Sequence, residues 1–264
     1  MKRFCADMKK YWRYVVYAGQ SELKAEVANS YLNWLWWIIE PLCFMMIYSF
    51  VFGFLFGSKI EHVQVFIYIG ITMWDFFNRM LNASVKLVRN NKSIVSKVYI
   101  PKYMLILIKM YVNAFKLMIA FILLFIMLLV SGVTFNLHML WIIPVLFAEF
   151  VVTFGICTFL LHFGVYVDDL ANVVHILLRM LFYLTGVFYD LETRLTQSLG
   201  ERAAILISHC NPMASFLIAA RNALLYATTP NLKFLGIWII IGLALSVLGV
   251  RLIYKNENSY VKVI

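Results

Sequence analysis

The stretch WLWWIIEPLCFMMIYSFVFGFLFG, residues 34–57, decides the fold. It runs for 24 residues with a single charge, Glu40. A hydrocarbon core about 30 Å thick is crossed by about 20 apolar residues wound as a helix, so this stretch reads as a membrane span, Trp34–Gly57. Five more apolar runs follow, at roughly Val63–Leu81, Ile106–Val130, Met139–Val167, Val173–Tyr189 and Phe234–Tyr254. The composition agrees. The 264 residues are 63% apolar and 14% charged, with a mean hydropathy of +0.84, against about half apolar and a quarter charged in a soluble domain. The expectation is an all-α polytopic membrane protein: six transmembrane helices in residues 34–264, behind a cytoplasmic segment of another kind in residues 1–33.

The net charge is +10, but its placement says more than its sum. Nucleic-acid binding needs a solvated basic face, and most of this chain is too apolar to offer one. The short loops instead carry an orientation signal. Arg79–Lys109 holds seven basic residues and no acid, the first 33 residues hold six, and the tail adds Arg251, Lys255 and Lys262. Ser58–His62 has one Lys and one Glu, and Ser131–His138 has neither sign. Both termini and the loop between spans two and three are therefore expected in the cytoplasm of a multi-pass protein of the cell membrane. Asp168–Asp169 is acidic on the same side, but acids weigh little in this rule.

Ahead of the first span, Phe4, Met8, Trp12 and Val15 recur at helical spacing with Lys2, Lys9, Lys10 and Arg13 between them. A basic helix with an aromatic-apolar stripe is expected to lie in the membrane surface. No secretory h-region follows Met1–Lys10. Before the last span, residues 190–232 hold the apolar patches Ala203–Ser208 and Ala214–Ala220. Each is too short to cross, so they read as re-entrant helices, with a plain extracytoplasmic loop as the alternative.

Seven charges fall in or near the spans: Glu40, Asp75, Arg79, Lys109, Lys116, Glu149 and Arg179. Each costs roughly 2.5–3.5 kcal/mol at mid-bilayer. All seven facing lipid would total about 20 kcal/mol, more than a typical net stability, so they must pair, reach the interface or face a polar interior. Asp75 and Arg79 stand four apart on one helix face and can pair. Lys116 can meet Glu149 on the adjacent span. Arg179 serves either helix packing or contact with an anionic substrate. Trp34, Trp36 and Trp37 form either an interfacial belt or part of a path for sugars.

Other chemistries have little support. The four cysteines, Cys5, Cys43, Cys157 and Cys210, are scattered, with no metal-ligand spacing, so no metal site or disulfide framework is expected. No G-x-x-x-x-G-K-[ST] occurs, so the chain has no P-loop of its own. Asp168–Asp169 alone is slight ground for a membrane enzyme.

Several motifs in order resemble one family. Glu22-Leu-Lys-Ala-Glu-Val-Ala-Asn-Ser-Tyr-Leu-Asn-Trp-Leu-Trp-Trp-Ile-Ile-Glu-Pro41 looks like the approach to the first span in ABC-2 type permeases that export polysaccharides. Tyr48-Ser-Phe-Val-Phe-Gly53, Gly70-Ile-Thr-Met-Trp-Asp-Phe-Phe77, Ile94-Val-Ser-Lys-Val-Tyr-Ile-Pro-Lys102 and Asn211-Pro-Met213 with Arg221 and Leu224-Leu225 continue the likeness along nearly the whole chain. The sequence departs from the pattern at Leu32-Asn33, where many members have Leu-Gly, and at Glu26 and Ala28, where many carry Arg.

The resemblance implies a transport subunit and not an enzyme. Two copies of it would pair with two copies of a separate ATPase that binds ATP and Mg. The substrate would be a lipid-linked polysaccharide of the O-antigen, capsule or teichoic acid kind. It also implies roles for residues. Ser84, Lys86, Arg89, Asn90, Asn91, Lys92, Ile94 and Lys97 would form the coupling surface for the ATPase. Lys24, Tyr31, Leu32, Asn33, Trp34, Trp37, Trp74, Arg179 and Tyr183 would line substrate entry and passage. The rival readings are an ABC-2 permease for a small molecule or lipid, a membrane enzyme of glycan assembly, and a passive channel.

Overall fold

The computed structural model describes residues 2–28, 32–57 and 60–263; Tyr31 lies outside them, and of Asn33 only the backbone is described. Among these residues the chain is helical throughout, with no strand. The first helix, α1 (Lys2–Val27), turns most of the predicted stripe inward, but Trp12 is 50% exposed and Tyr11 takes its place. Val15 is buried, and Phe4, Met8 and Tyr11 pack against the core. It rests along α6 (Tyr103–Val130), where Gly19 leaves room for the Tyr111 ring.

A 3-10 turn, Asn33–Leu35, leads into α2 (Trp36–Tyr48). Pro41 stands inside it, past the first turn, and leaves the Trp37 carbonyl without its i→i−4 donor. The same helix continues through Ser49–Leu55 in π winding. Next comes α3 (Val63–Val85), the centre of the molecule. Its residues from Val65 to Trp74 are all buried, and the Tyr68 hydroxyl donates to the Ala120 carbonyl of α6 at 3.3 Å. Two one-turn helices, α4 (Leu87–Asn90) and α5 (Lys92–Val95), fill the basic loop ahead of α6.

α7 (Ile142–Tyr166) packs along α12 (Leu232–Val263) through small residues. A Cβ on Gly155 would stand 2.8 Å from that of Leu245, and one on Gly242 would stand 2.9 Å from the Val152 nitrogen. Close backbone approach of this kind is the usual basis of helix association in lipid. Between them run α8 (Leu170–Leu184), α9 (Leu191–Leu199), α10 (Glu201–Cys210) and α11 (Pro212–Leu224). The last two meet at 112°. Asn211 makes the corner: its side chain accepts from the Met213 N–H at 3.0 Å, and Pro212 opens the new helix. The two short helices expected before the last span are thus present, each longer than its apolar patch.

Among the described residues, four helical stretches are long and apolar enough to cross a membrane: Trp36–Leu55, Tyr103–Val130, Leu137–Tyr166 and Leu232–Glu257. The bent pair α10–α11 would be a fifth if it were one span. The six expected spans are therefore supported only in part. α3 carries Asp75 and Arg79 with Gln64, Asn78 and Asn82, which dilutes its hydropathy. α8 has 15 residues, about 22 Å of helix at 1.5 Å per residue.

The bundle has two distinct ends. One gathers the start of α1, the α4–α5 segment, the α7–α8 turn and the close of α12. The other gathers the end of α2, α9 and the turn after α11.

Candidate functional site

Where α2, α3 and α8 come together they leave a groove of about 490 Å³. Phe44 and Tyr48 line it from α2, Trp74, Asp75 and Asn78 from α3, and His175, Arg179 and Phe182 from α8. Two of the expected pathway residues, Trp74 and Arg179, therefore face one space. Trp74 is buried in the wall with its ring 5.4 Å from Phe182. Arg179 is exposed in the groove. A cation on an apolar helix is costly against lipid and cheap against water, so its position marks the groove as polar. Tyr183 is 65% exposed one turn further on, its ring against Phe182 and its carbonyl accepting from the Tyr189 hydroxyl at 2.7 Å.

The groove shares Asp75 with a charged cluster. Arg79 donates to Glu40 at 3.0 Å and lies 3.8 Å from Asp75. The i,i+4 pair expected from sequence is thus present, joined by Glu40 from α2. Behind it a small cavity of about 40 Å³, lined among others by Trp37, Thr72, Asp75, Arg79, Asn113 and Lys116, has room for a few water molecules.

Lys116 closes the far side, but not as the sequence suggested. It pairs with Glu26 of α1 at 2.5 Å and stands 5.5 Å from the Trp37 ring centroid. Lys109, two turns earlier, pairs with Glu22. α1 is therefore held to α6 by two ion pairs. Glu149, the partner that the sequence offers Lys116, is instead fully buried in α7 with neither oxygen hydrogen-bonded.

The remaining residues expected at the pathway gather near the surface. Lys24 and Leu32 are exposed, Trp34 is half-exposed, and the 3-10 turn begins at Asn33. Trp37 is half-buried, its ring edge-on to Phe115.

The expected coupling surface is the α4–α5 segment. Lys86, Asn90, Lys92, Ile94 and Lys97 are exposed along it. Ser84 is buried, its hydroxyl donating to the Met80 carbonyl at 2.8 Å. Asn91 donates to the Leu87 carbonyl at 2.8 Å and so ties α5 to α4. Arg89 donates to the Val165 carbonyl at 2.8 Å and pairs with Asp168. This explains the acidic turn that sat awkwardly in the charge pattern: it neutralises a cation of the basic segment. Gly164 lets α7 touch the Val85 backbone, a contact that any Cβ would block.

At the opposite end lies a cavity of about 1090 Å³ lined by Phe52, Phe56, Phe188, Tyr189 and Tyr226 with Glu61, Asp190, Arg194 and Gln197. Phe52 stacks on Phe188 with centroids 4.7 Å apart. Burial and the neighbouring acids Asp190 and Glu201 raise the Glu192 carboxyl above its ordinary value. No sequence pattern singled this mouth out, because its residues come from the outer end of α2, α9 and three turns.

Arg221 was also visible only as part of a motif. It is 3% exposed, donates to the carbonyls of Phe66, Gly186 and Val187 at 2.8–3.3 Å, and lies 3.4 Å from the Phe66 ring centroid. It joins α11 to α3 and to the turn after α8. Gly186 holds that turn at φ +74°, which an L side chain would strain.

Among the described residues, no three His, Cys, Asp or Glu side chains gather where they could hold a metal.

Comparison with known proteins fits this arrangement. Two O-antigen export system permease proteins RfbA of Klebsiella pneumoniae are each 24% identical to the chain over 251 residues, covering 95% of it and 94% of the relative. A protein of the same description from Myxococcus xanthus is 24% identical over 226 residues, 86% of this chain and 85% of that one. The family described as ABC-2 type transporter matches residues 15–225. With four-fifths of its length matched, groove and basic segment included, the chain is a member of the ABC-2 type transporter family.

Proposed function

We propose that this chain is the membrane permease subunit of an ATP-driven exporter, moving a lipid-linked polysaccharide across the cytoplasmic membrane. The observation that carries the reading is the likeness to O-antigen export permeases over 95% of the chain. Two copies of the chain build the path, and two copies of a separate ATPase, holding ATP and Mg, dock on Lys86–Lys97. The chain itself performs no chemistry.

In this reading the helices cross six times, through α2, α3, α6, α7, α8 and α12, with both termini in the cytoplasm. α3 crosses despite its charges because Asp75 and Arg79 pair and are shared with Glu40. α8 crosses although short, with the Thr185–Asp190 turn completing the distance. Residues 1–33 form the interface unit and residues 34–264 the transmembrane domain. α10 and α11 dip into the outer leaflet and return.

The polyprenyl-phosphate head enters near Lys24, Leu32 and Trp34 on the cytoplasmic side. The glycan then follows the groove past Trp74 and Arg179 to Tyr183 and the aromatic mouth. Aromatic faces give sugar rings apolar contact, while Asn78, His175 and Arg179 meet hydroxyls.

The test is co-purification with the ATPase produced alongside this chain, followed by an ATPase and transport assay in proteoliposomes with lipid-linked glycans. Stimulation by a long-chain glycan and its accumulation across the bilayer support the reading. Stimulation only by small amphiphiles would shift it to a small-molecule exporter. Full activity of the chain without any ATPase would overturn it.

A further inference from the structure

At the end of the bundle that carries the basic segment, three distant pieces of chain meet in one polar cluster. Arg3, in the first turn of α1, donates to the Tyr99 hydroxyl at 2.6 Å and to Glu257 at 2.8 Å. The Tyr99 hydroxyl donates in turn to the same carboxylate at 2.9 Å. The Arg3 guanidinium also lies 4.2 Å from the ring centroid of Tyr254. Tyr254 donates to Asp7, one turn along α1, at 2.5 Å, and its hydroxyl is 2.9 Å from that of Tyr103. His162, near the close of α7, meets the Tyr260 hydroxyl at 2.6 Å.

The cluster is built as a fixed joint and not as a hinge. Tyr103, Tyr260 and Glu257 are buried. Each carboxylate takes more than one donor, and the bonds to Arg3 are charge-assisted. The Phe4 and Tyr254 rings pack on Tyr103 at 5.3 and 5.5 Å. Arg3 and Tyr99 reach the cluster from the exposed side, and opening it would strand the buried Glu257 carboxylate. Tyr99 follows Lys97 by two residues and is itself part of the cluster.

We propose that Arg3, Tyr99 and Glu257 are positioning residues for transport. They weld the segment just after the ATPase-docking surface to the start of α1 and the end of α12, so that a push on that surface moves all three as one body. The inference rests on the exporter reading above. Without the weld, movement of Lys86–Lys97 would reach α1 only through its ion pairs with α6, at Lys109 and Lys116, and not at its start.

The test uses the reconstituted complex of this chain with its ATPase and compares glycan moved per ATP hydrolysed. Glu257→Gln, Arg3→Met and the milder Tyr99→Phe are expected to keep ATP hydrolysis within about twofold of wild type while transport per ATP falls at least tenfold in the first two. In a background with all four native cysteines replaced, Arg3→Cys with Glu257→Cys, bridged by a short bifunctional thiol reagent, is expected to restore transport. A bridged pair that hydrolyses ATP but no longer transports would mean the joint must open, which overturns the inference. So would assembled variants, Tyr99→Phe included, that all keep the wild-type ratio. A wild-type complex that hydrolyses ATP without moving glycan would overturn the exporter reading instead, and the inference with it.

Discussion

Replacing Arg221 with Met should loosen the molecule where α3, α11 and the turn after α8 meet. The guanidinium is 3% exposed and serves three carbonyls. That of Phe66 lies within α3's own ladder and keeps a partner without it. Those of Gly186 and Val187 lie in a turn and lose a charged donor at 2.8 Å each. A buried polar group left unmatched costs roughly 1–3 kcal/mol, so the two orphaned carbonyls cost about 2–6 kcal/mol together. For a chain of this size, at about 2–4 °C per kcal/mol, that lowers the apparent midpoint of thermal unfolding by roughly 4–24 °C. The measurement is a thermal scan of purified protein in mild detergent, with Arg221→Lys beside it. An ammonium cannot span the fork of two turn carbonyls and the α3 carbonyl, so Lys should recover part of the loss. A midpoint unchanged in Arg221→Met, or fully restored by Lys, would refute the assignment of Arg221 as the tie between these elements.

Glu149→Met should raise the same midpoint, because it removes two buried oxygens that have no hydrogen bond; the gain expected is about 1–3 kcal/mol, and a fall would show that the carboxyl has an essential partner. Gly164→Val should force α7 off the Val85 backbone, lowering stability by about 1–3 kcal/mol as overpacking does and weakening ATPase binding, read by co-purification. Glu192→Gln should be pH-dependent. The folded chain raises the Glu192 carboxyl above 4.5, so the contribution of Glu192 is fully present below that value and fades as pH rises through the raised one. Variant and wild type should therefore melt together near pH 4, with the variant ahead at pH 8; equal midpoints at both pH values would count against it. Lys116→Met should leave Glu26 without its cation and detach the end of α1, read as faster proteolysis near residues 26–33; cleavage at the wild-type rate would show that the pair does not hold the helix.

The parts legible in the sequence were those set by local composition. Trp36–Leu55, Tyr103–Val130 and Leu232–Glu257 announce themselves because a bilayer demands length and apolarity in one continuous run. α1 was legible because its stripe follows the helical period. α3 was legible only as an apolar run; its charges give no sign that its residues from Val65 to Trp74 are all buried. What could not be read were partners across elements. Lys116 turned to Glu26 and not Glu149 because α1 folds back along α6, and no spacing along the chain encodes that. Asp168 seemed misplaced until Arg89 was found beside it. Of the candidate pathway residues, Trp74 and Arg179 share a groove while Lys24 and Trp34 remain near the surface. Residue type singled them out, but only the packing of α2, α3 and α8 determines which of them meet.

The winding of Ser49–Leu55 has a consequence for the outer end of α2. A π turn spends one residue more than an α turn, and each residue of an α-helix is worth about 100° of rotation. Rewound as ordinary α-helix, the strip that now presents Phe52 to Phe188 would face elsewhere, and the stack would come apart. The aromatic rim is thus a matter of helical phase: a single residue inserted just ahead of Ser49 would rotate the rim by about 100° without removing any of its rings.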